Sequence, residues 1–462
     1  MKRSIALLLV LLSMLSLGNN NFVYGAKVQI LQAIPLTQVI DIDDRSYSEY
    51  FYALQEDGTI WIGSDHAPAI RGPQIKGAVK ISGNLVLTAK GDVWTWSTNP
   101  ADHPKRVPEL SGIQDISAGP AFMALDNKDR VYVWGNVCYV SLMRPDLQDR
   151  QGPSCVNPSQ ASQADVDLAN IPKVALEKVK AIRSSLQSLM VLMSDGKTVQ
   201  WYGNTYIMDM GMHKVVSQAP VTDFTGFDTD VVGGGEVKML PDKELVSALP
   251  NAQFNKLSVS YESFYSLYLK QDGTVWSKSD WVDGSLQQIQ PLKNIAQAHA
   301  IALNSGTALD NNGIVWTWGN RSNMPYAGIP DKILSKVDAK PALRQLSLKI
   351  NGKYIPSDPG PIQMNGVTFV PLRVLFESIG AKVNYVNDKI AVTYINQVLQ
   401  IKVYDTNAVW NGENIKMNAA VTSYQGKTYV PVRFISEALG ANVQWDAKDG
   451  CVVVQFAASN AH

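Results

Sequence analysis

A hairpin pattern that contains tryptophan recurs along the first two-thirds of the chain and constrains its fold more than any other feature. Each copy has alternating apolar residues, a short turn, and then a β-branched or aromatic residue near a Trp. The turns lie at Asp57-Gly58, Gly91-Asp92, Lys128-Asp129, Asp195-Gly196, Asp272-Gly273 and Asn312-Gly313. Because Gly, Asn and Asp tolerate a positive φ, each copy predicts a β-hairpin with one face against a core.

A seventh, degenerate copy without its Trp is predicted between Val231 and Leu245. One hairpin cannot bury both of its faces, so the units must stack, and a closed ring leaves no free sheet edges. The repeats therefore predict an all-β seven-bladed propeller over residues 27–325.

The recurrent tryptophans are expected to be structural and to pack between blades, rather than to form a platform for ligand stacking. We assign six of them to one position of the repeat: Trp61, Trp94, Trp134, Trp201, Trp276 and Trp316. Trp96 and Trp318 lie two residues further on and so share the strand face of Trp94 and Trp316.

Residues 137–172 interrupt the repeats with a segment rich in Gln, Ser, Asp and Pro. We expect this insertion to project from one blade and to act as the recognition element, because loops on rigid scaffolds often carry function. Cys138 and Cys155 are the disulfide candidates within it, since export permits such a bond. Cys451 is then single and is expected to be buried in the last strand.

The N-terminus predicts a secretory signal peptide over residues 1–26. Lys2 and Arg3 precede an apolar run from Ile5 to Leu17, and cleavage is expected near Ala26. The run is shorter than the roughly 20 residues that a spanning helix needs, and no second long run follows. We therefore expect a secreted or envelope-associated protein with no membrane span after cleavage.

The charge balance disfavours nucleic acid as a partner. The chain has 41 Lys+Arg and 41 Asp+Glu residues, whereas phosphate binding needs a surplus of cations. Only 18% of the residues are charged, compared with about 25% in average soluble domains. The surface must therefore depend on uncharged polar residues.

A duplication is evident after the predicted linker 326–343. An offset of 60 superposes Gly366–Arg373 on Gly426–Arg433 without a gap, and each copy predicts a strand, a helix and a returning strand. Pro371 and Pro431 are expected at the first helical position, and Gly380 and Gly440 at the left-handed C-terminal position. Arg373/Glu377 and Arg433/Glu437 stand four apart, with the cation first, which is the weaker orientation for pairing. Structural pairing is the expected role of these charges.

Two family resemblances follow from these motifs. The Val-x-x-Trp-Gly hairpins resemble the regulator of chromosome condensation repeat, which implies the seven-bladed propeller. Residues 344–458 resemble the copper amine oxidase N-terminal-like, or stalk, domain of secreted proteins from Gram-positive bacteria, which implies a small α+β duplicated domain. Amine oxidase chemistry is not expected: Asn384-Tyr385 is followed by Val386 instead of an acid, and the five His residues include no His-x-His.

The sequence predicts no catalytic, cofactor or metal site. Asp41–Asp44 and Asp223–Asp230 lack the spacing of a calcium loop and are expected to be solvated loops. The first hypothesis is an exported non-catalytic binding or scaffold protein of the cell envelope, whose partner is a cell-wall component or an extracellular protein. The alternatives are a polysaccharide-active enzyme with carboxylates on a propeller face and a self-assembling surface component.

Overall fold

The computed structural model describes residues 30–44, 50–64, 67–99, 102–148, 162–184, 188–203, 212–216, 254–260, 265–270, 272–279, 286–302, 305–319, 339–386 and 389–456. The chain divides into two compact units. One unit is Pro35–Leu343, and the other combines Met1–Ile34 with Arg344–His462. The predicted signal peptide and the degenerate repeat at 231–245 lie outside the described residues.

Six four-stranded antiparallel sheets follow one another along the Pro35–Leu343 unit. The strands of the first three sheets are Val39–Asp44, Tyr50–Gln55, Thr59–Ser64 and Ile70–Gln74; Ala78–Ser82, Leu85–Thr88, Val93–Thr95 and Lys105–Arg106; and Ile113–Ala118, Phe122–Asp126, Val131–Trp134 and Lys173–Leu176. The strands of the next three are Val179–Ser184, Ser188–Met193, Thr198–Gly203 and Met212–Val216; Phe254–Ser260, Tyr265–Lys270, Val275–Ser279 and Leu286–Gln288; and Ile295–Ala302, Ser305–Asp310, Val315–Trp318 and Lys340–Pro341.

The predicted hairpins are the second and third strands of these sheets. Each third strand has, as its first or second residue, a side chain that is 0% exposed: Ile60, Val93, Val131, Thr198, Val275 and Val315. The residue paired with it on the second strand is in every case a buried leucine: Leu54, Leu87, Leu125, Leu192, Leu269 and Leu309. These pairs therefore occupy equivalent positions in the six sheets, on the buried side of each hairpin.

Apolar clusters between successive sheets join the six sheets into a propeller. Ile60 of the first sheet packs with Val86 and Trp96 of the second, and equivalent clusters follow the second, third and fifth sheets. The sixth sheet packs in the same way on the first, through Val315 with Trp61. The backbone N–H of Val39 also donates to the carbonyl of Gly313 at 3.1 Å. The last sheet therefore contacts the first, as a ring requires, and the predicted propeller is confirmed.

The turns adopt the backbone that their residues predict. The glycines between the second and third strands have positive φ, for example 86° at Gly58 and 76° at Gly313, and Asp129 takes the position with φ of 60°. A second left-handed residue, which the sequence did not reveal, precedes the first strand of five sheets: Gln38, Gly77, Gly112, Lys178 and Asn294. Each accepts at its carbonyl a hydrogen bond from the residue after the second strand: Glu56, Ala89, Asn127, Ser194 and Asn311.

Two segments differ from the sequence interpretation. Lys340–Pro341, assigned to the linker 326–343, is the outer strand of the sixth sheet and pairs with Trp316 and Thr317. The described parts of the insertion form the helices Val137–Met143, Pro145–Gln148 and Gln163–Ala169. Their apolar residues, including Val140 and Leu147, are buried in the cluster between the third and fourth sheets. The described part of the insertion therefore belongs to the core and does not project as a loop.

The described residues of the second unit form three sheets and two helices, Leu372–Ser378 and Val432–Ala438. In spatial order, the first sheet contains Ile30–Leu31, Ile362–Met364, Val367–Pro371, Lys427–Pro431 and Thr422–Tyr424. The second contains Lys353–Ile355, Ser347–Ile350, Cys451–Phe456 and Ala441–Asp446, and the third contains Lys382–Val386, Lys389–Tyr394, Gln397–Lys402, Asn407–Trp410 and Glu413–Lys416. The remaining strands among the described residues are Ala33–Pro35 and Leu343–Gln345.

The duplication extends further than the sequence analysis found. The same offset relates the hairpin turn Asn351-Gly352 to Asn411-Gly412, and all four residues have positive φ. Val370 pairs directly with its own counterpart, Val430, so a local twofold axis passes between the two halves. Pro371, expected at the first helical position, is instead the N-cap and the last residue of its strand. Gly380 and Gly440 end the helices with φ of 81° and 76°, as predicted.

Candidate functional site

Polar side chains from the first strands of the sheets converge around the propeller axis. The first strand of each sheet contacts the first strand of a neighbouring sheet, so these strands form the inner wall. Among the five first strands whose side chains the structure describes, the residue after a register shift is polar in four: Asp41, Lys80, Asp115 and Gln297. Two residues further on are Asp43, Ser82, Ser117 and His299. We call these eight the axial polar residues.

Asp41 is held by the two sheets on either side of its own. Its Oδ2 accepts the backbone N–H of Ile81 at 2.8 Å, and its Oδ1 accepts the side-chain amide of Gln297 at 2.8 Å. The amide oxygen of Gln297 in turn accepts the backbone N–H of Ile42 at 3.2 Å. Asp41 is 8% exposed. The expected solvated loop at Asp41–Asp44 is therefore wrong: the segment is a strand, and the Asp41 carboxylate joins blades.

The same kind of bond continues around the wall. Asp43 accepts the backbone N–H of Gly83, and Ser82 accepts that of Ala118 at 3.0 Å. Lys80 forms an ion pair with Asp115, whose side chains are 41% and 28% exposed. This pair is the more accessible part of the axial polar residues, and it offers an ammonium and a carboxylate to a polar ligand.

The strand registers divide the six predicted tryptophans between two positions. Trp61, Trp94, Trp276 and Trp316 follow the buried β-branched residue directly, whereas Trp134 and Trp201 lie two residues further on, where Trp96 and Trp318 also lie. Assigning all six to one position was wrong, because Trp134 and Trp201 lie three residues after the buried β-branched residue, whereas the other four lie one residue after it. Trp61, Trp134 and Trp201 are buried, and Trp94, Trp276 and Trp316 are half-buried.

Hydrogen bonds and cations complete the surroundings of these rings. The indole N–H of Trp61 donates to the amide oxygen of Gln55 at 2.6 Å, and the guanidinium of Arg71 lies 5.6 Å from the centre of the Trp61 ring. Lys270 takes a similar place 5.7 Å from Trp276. Rings packed and paired in this way serve the fold.

An ionic cluster holds the insertion helices in place. The side chain of Arg144 is 0% exposed and donates to both carboxylate oxygens of Asp146, at 3.0 and 2.8 Å. It also donates to the carbonyls of Leu168 and Ile171, and Lys173 donates to Asp146 at 2.8 Å. The Arg144 hydrogen bonds lower the pKa of Asp146 far below its ordinary value, with a further contribution from Lys173.

The cysteine predictions fall partly outside the described residues. Cys138 is buried in the first insertion helix and is disulfide-bonded, whereas Cys155 lies outside the described residues. Cys451 is a free thiol and is 1% exposed in the last strand. Among the residues that the structure describes, no group of three or more His, Cys, Asp or Glu side chains could hold a metal ion.

The repeated charges of the C-terminal unit lie on its surface. Arg373 Nη1 is 3.4 Å from Glu377 Oε1, with side chains that are 60% and 53% exposed. The Arg373 guanidinium also stacks 5.5 Å from the Tyr385 ring. Arg433 is exposed, and the side chain of Glu437 lies outside the described residues. Pro431 is buried at the end of its strand, as Pro371 is.

A cleft of about 580 Å³ opens in the C-terminal unit beside the second hairpin of the duplication, which turns at Asn411-Gly412. It is lined by Lys402, Val403, Tyr404, Asp405, Ser423 and Thr428. Hydrogen bonds from Asn407, mainly its backbone N–H, lower the pKa of Asp405, so this carboxyl stays ionised. Sequence reasoning did not find this cleft, although its strand Thr422–Tyr424 lies within the duplicated segment.

Several carboxyls of the propeller have lowered pKa values. Burial raises the pKa of Asp126, but the hydrogen bonds from Arg130 outweigh it and bring the pKa below its ordinary value. In the hairpin turns, Thr274 lowers the pKa of Asp272, and the backbone N–H of Lys197 lowers that of Asp195. These carboxylates act as acceptors that close turns.

Comparison with known proteins finds a family model within the C-terminal unit. Residues 349–454 match the family model of the copper amine oxidase N-terminal domain. No curated protein matches the chain. Among solved structures, yeast RCC1 (Prp20) bound to Kap60 is 17% identical over 59% of this chain and 68% of that chain, with a TM-score of 0.32. The β-propeller domain of Myceliophteria thermophila Cps50 (Swd1) is 12% identical over 63% and 99% of the two chains, with a TM-score of 0.34.

The axial polar residues carried a signal that sequence reasoning missed. Asp41-Ile42-Asp43, Lys80-Ile81-Ser82 and Asp115-Ile116-Ser117 each place a buried isoleucine between two polar residues. This period-two pattern is that of a strand with one apolar and one polar face. It lies in the strand that precedes the predicted hairpin in each of these three sheets and was therefore readable as part of the repeat.

Proposed function

We propose that this chain is an exported, non-catalytic binding protein of the cell envelope. In this proposal the propeller recognises a cell-wall component or an extracellular protein, and the duplicated C-terminal unit spaces or docks it. The apolar leader at Ile5–Leu17 supports export. In the part of the chain that the structure describes, no helix is long and apolar enough to cross a membrane.

One observation favours binding over polysaccharide hydrolysis. The carboxyls whose pKa departs from the ordinary value, Asp126, Asp146, Asp195, Asp272 and Asp405, are all shifted downwards. A glycoside hydrolase needs one carboxyl whose pKa is raised, so that it stays protonated and can protonate the leaving oxygen. These five carboxylates are instead fixed as structural acceptors, which is the state that suits a rigid binding scaffold.

The accessible part of the axial polar residues is the proposed point of recognition. Lys80 and Asp115 present opposite charges that can hydrogen-bond to the hydroxyl, amide or carboxylate groups of a polar ligand. Their neighbours Asp41 and Ser82 are tied to backbone groups and keep the wall rigid. A preorganised wall lowers the entropy that binding must overcome.

Co-sedimentation of the mature protein with purified cell walls tests the proposal. We expect binding without release of soluble sugar, and weaker binding by Lys80→Glu. Lys128→Glu is the matched control, because this substitution makes the same change of charge at an exposed hairpin turn. Sugar release would establish the enzyme instead, and concentration-dependent assembly without wall binding would favour the surface-component alternative. N-terminal sequencing of protein from the culture medium tests export, with a start near Lys27 expected.

A further inference from the structure

The two halves of the C-terminal unit differ in one respect at the edges of their shared sheet. Ile362–Met364 and Thr422–Tyr424 are counterparts in the duplication and lie at equivalent places on either side of the Val370–Val430 pair. The segment Ile30–Leu31 adds a strand outside Ile362–Met364, with Ile30 opposite Met364 and Leu31 opposite Gln363. In the described residues the sheet ends at Thr422–Tyr424 on the other side.

The groove that holds the N-terminal segment has two walls. Gln363 and Met364 form one, and the other is the backbone near Leu346, whose N–H donates to the carbonyl of Gln32 at 3.3 Å. The N-terminal segment therefore runs between the strand Ile362–Met364 and the stretch near Leu346. That stretch leads into the hairpin that turns at Asn351-Gly352.

The cleft beside the second hairpin is the counterpart of that groove. Its lining residues Asp405, Ser423 and Thr428 are the duplicates of Gln345, Gln363 and Thr368. The stretch 404–405 is tied to Val421 by two backbone hydrogen bonds, of 2.7 and 3.2 Å, so both walls are in place. The first half thus shows what such a groove accepts, namely an extended piece of polypeptide.

Tyr404 gives a second sign that the cleft takes a ligand. Its side chain is 73% exposed and its φ is 64°, a left-handed conformation that is costly for a bulky residue. Its counterpart in the first half, Arg344, is 2% exposed. A strained, exposed aromatic at the rim of a cleft is a common feature of binding sites.

We propose that this cleft accepts an extended polypeptide segment of a partner protein, which adds a strand to the sheet outside Thr422–Tyr424. Main-chain hydrogen bonds supply affinity in such strand addition, and side-chain pockets supply selectivity. By analogy with Ile30–Ile34, the segment carries β-branched or other apolar residues without proline. An apolar residue packs on Tyr404, and Lys402 and Asp405 supply polar contacts at the ends of the cleft. This assignment goes beyond the proposed envelope role and does not depend on export.

The probe is a labelled synthetic peptide with the sequence of residues 27–34, titrated into the chain that starts at Lys27 and followed by fluorescence anisotropy. Because the first groove is filled by the chain itself, we expect one peptide to bind per chain. Ser423→Trp fills the cleft from an exposed position and should weaken binding by about tenfold or more. Lys416→Trp, the same substitution on an exposed edge strand of another sheet, should leave binding unchanged.

A peptide with Leu31→Pro should fail to bind, because proline removes a main-chain donor and disrupts the strand. Four results would overturn the proposal. They are no binding at millimolar peptide, equal binding to the Ser423→Trp variant, equal binding of the proline peptide, and a Ser423→Trp effect confined to the oligomeric state. The last result would show that a second copy of the chain occupies the cleft. Circular dichroism of both tryptophan variants confirms that they are folded.

Discussion

At the scale of single residues, a buried charged side chain forms hydrogen bonds and ion pairs with protein groups that replace its contacts with water. Arg144 is the clearest case, since its fully buried guanidinium is bonded to one carboxylate and two backbone carbonyls. The desolvation of a cation is offset only when its donors are satisfied in this way. The position of the insertion helices therefore depends on this side chain.

Arg144→Ala should destabilise the propeller unit by about 3 kcal/mol or more, because it leaves a cavity and unpaired carbonyls where a buried ion pair stood. Urea unfolding at pH 7, followed by tryptophan fluorescence, measures the change. Lys173→Ala is the comparison, since the exposed Lys173–Asp146 pair should contribute no more than about 1 kcal/mol. Equal losses for both variants would contradict the structural role of Arg144.

Asp146 gives the propeller a predictable response to acid. Its pKa is lowered in the folded state, so its contribution to stability is complete above the ordinary aspartate value of about 3.9. That contribution is lost as the pH falls from there through the folded-state pKa. Asp146→Asn should therefore be less stable than the wild-type protein at pH 7, and the difference should shrink below about pH 4. A constant difference across that range would show that the ionised carboxylate is not the cause.

At the scale of strands, glycine and an aromatic ring form recurrent cross-strand pairs. Gly63 lies opposite Phe51, and Gly306 lies opposite Trp318. A Cβ at Gly63 would stand 2.2 Å from the Phe51 ring, and one at Gly306 would stand 2.3 Å from the Trp318 ring. Each ring therefore lies across the glycine opposite it, in space that a side chain would otherwise fill.

Gly63→Ala should destabilise the protein by about 1–3 kcal/mol through overpacking, although alanine normally favours an extended strand over glycine. The Phe51→Leu/Gly63→Ala double variant should recover part of the loss, because the shorter side chain makes room for the methyl group. Thermal unfolding of the four proteins gives the coupling energy. Additive effects would mean that the ring and the methyl group do not compete for space.

The same strands show which elements a sequence can reveal. The hairpins were predictable because a Gly or Asp turn and a buried leucine opposite a β-branched residue are local patterns. The first strands were missed, and the segment Asp41–Asp44 was predicted to be a solvated loop, because the partners of its carboxylates lie on neighbouring sheets. The insertion was misjudged from its average composition, although the run Val137–Met143 within it is apolar and helical.

At the scale of the whole molecule, the C-terminal unit is assembled from both ends of the chain. Ile30–Leu31 covers one edge of one of its two five-stranded sheets, whereas the other described strands of its three sheets follow Arg344. This pairing could not be predicted from the sequence, because a segment of two residues without a turn or a motif is too short to indicate pairing. Only the duplicated part, with its fixed offset, was predictable as a domain.

Leu31→Pro should lower the melting temperature of the C-terminal unit and leave that of the propeller unit unchanged, because proline cannot donate to the edge strand. Differential scanning calorimetry, with limited proteolysis to assign each transition, distinguishes the two units. Leu31→Ala serves as the reference, since it keeps the backbone donor and should have a smaller effect. A shift of both transitions together would show that the units unfold as one.

The pairing of Ile30 with Met364 also sets an order of events during synthesis. The first strand of the C-terminal sheet leaves the ribosome more than three hundred residues before the strand that it joins. A contact between residues so far apart along the chain forms late. The blades can therefore close before Ile30–Leu31 pairs with Ile362–Met364. Chains truncated after residue 343 and released should therefore already protect the propeller from proteases, while the leading segment remains cleavable.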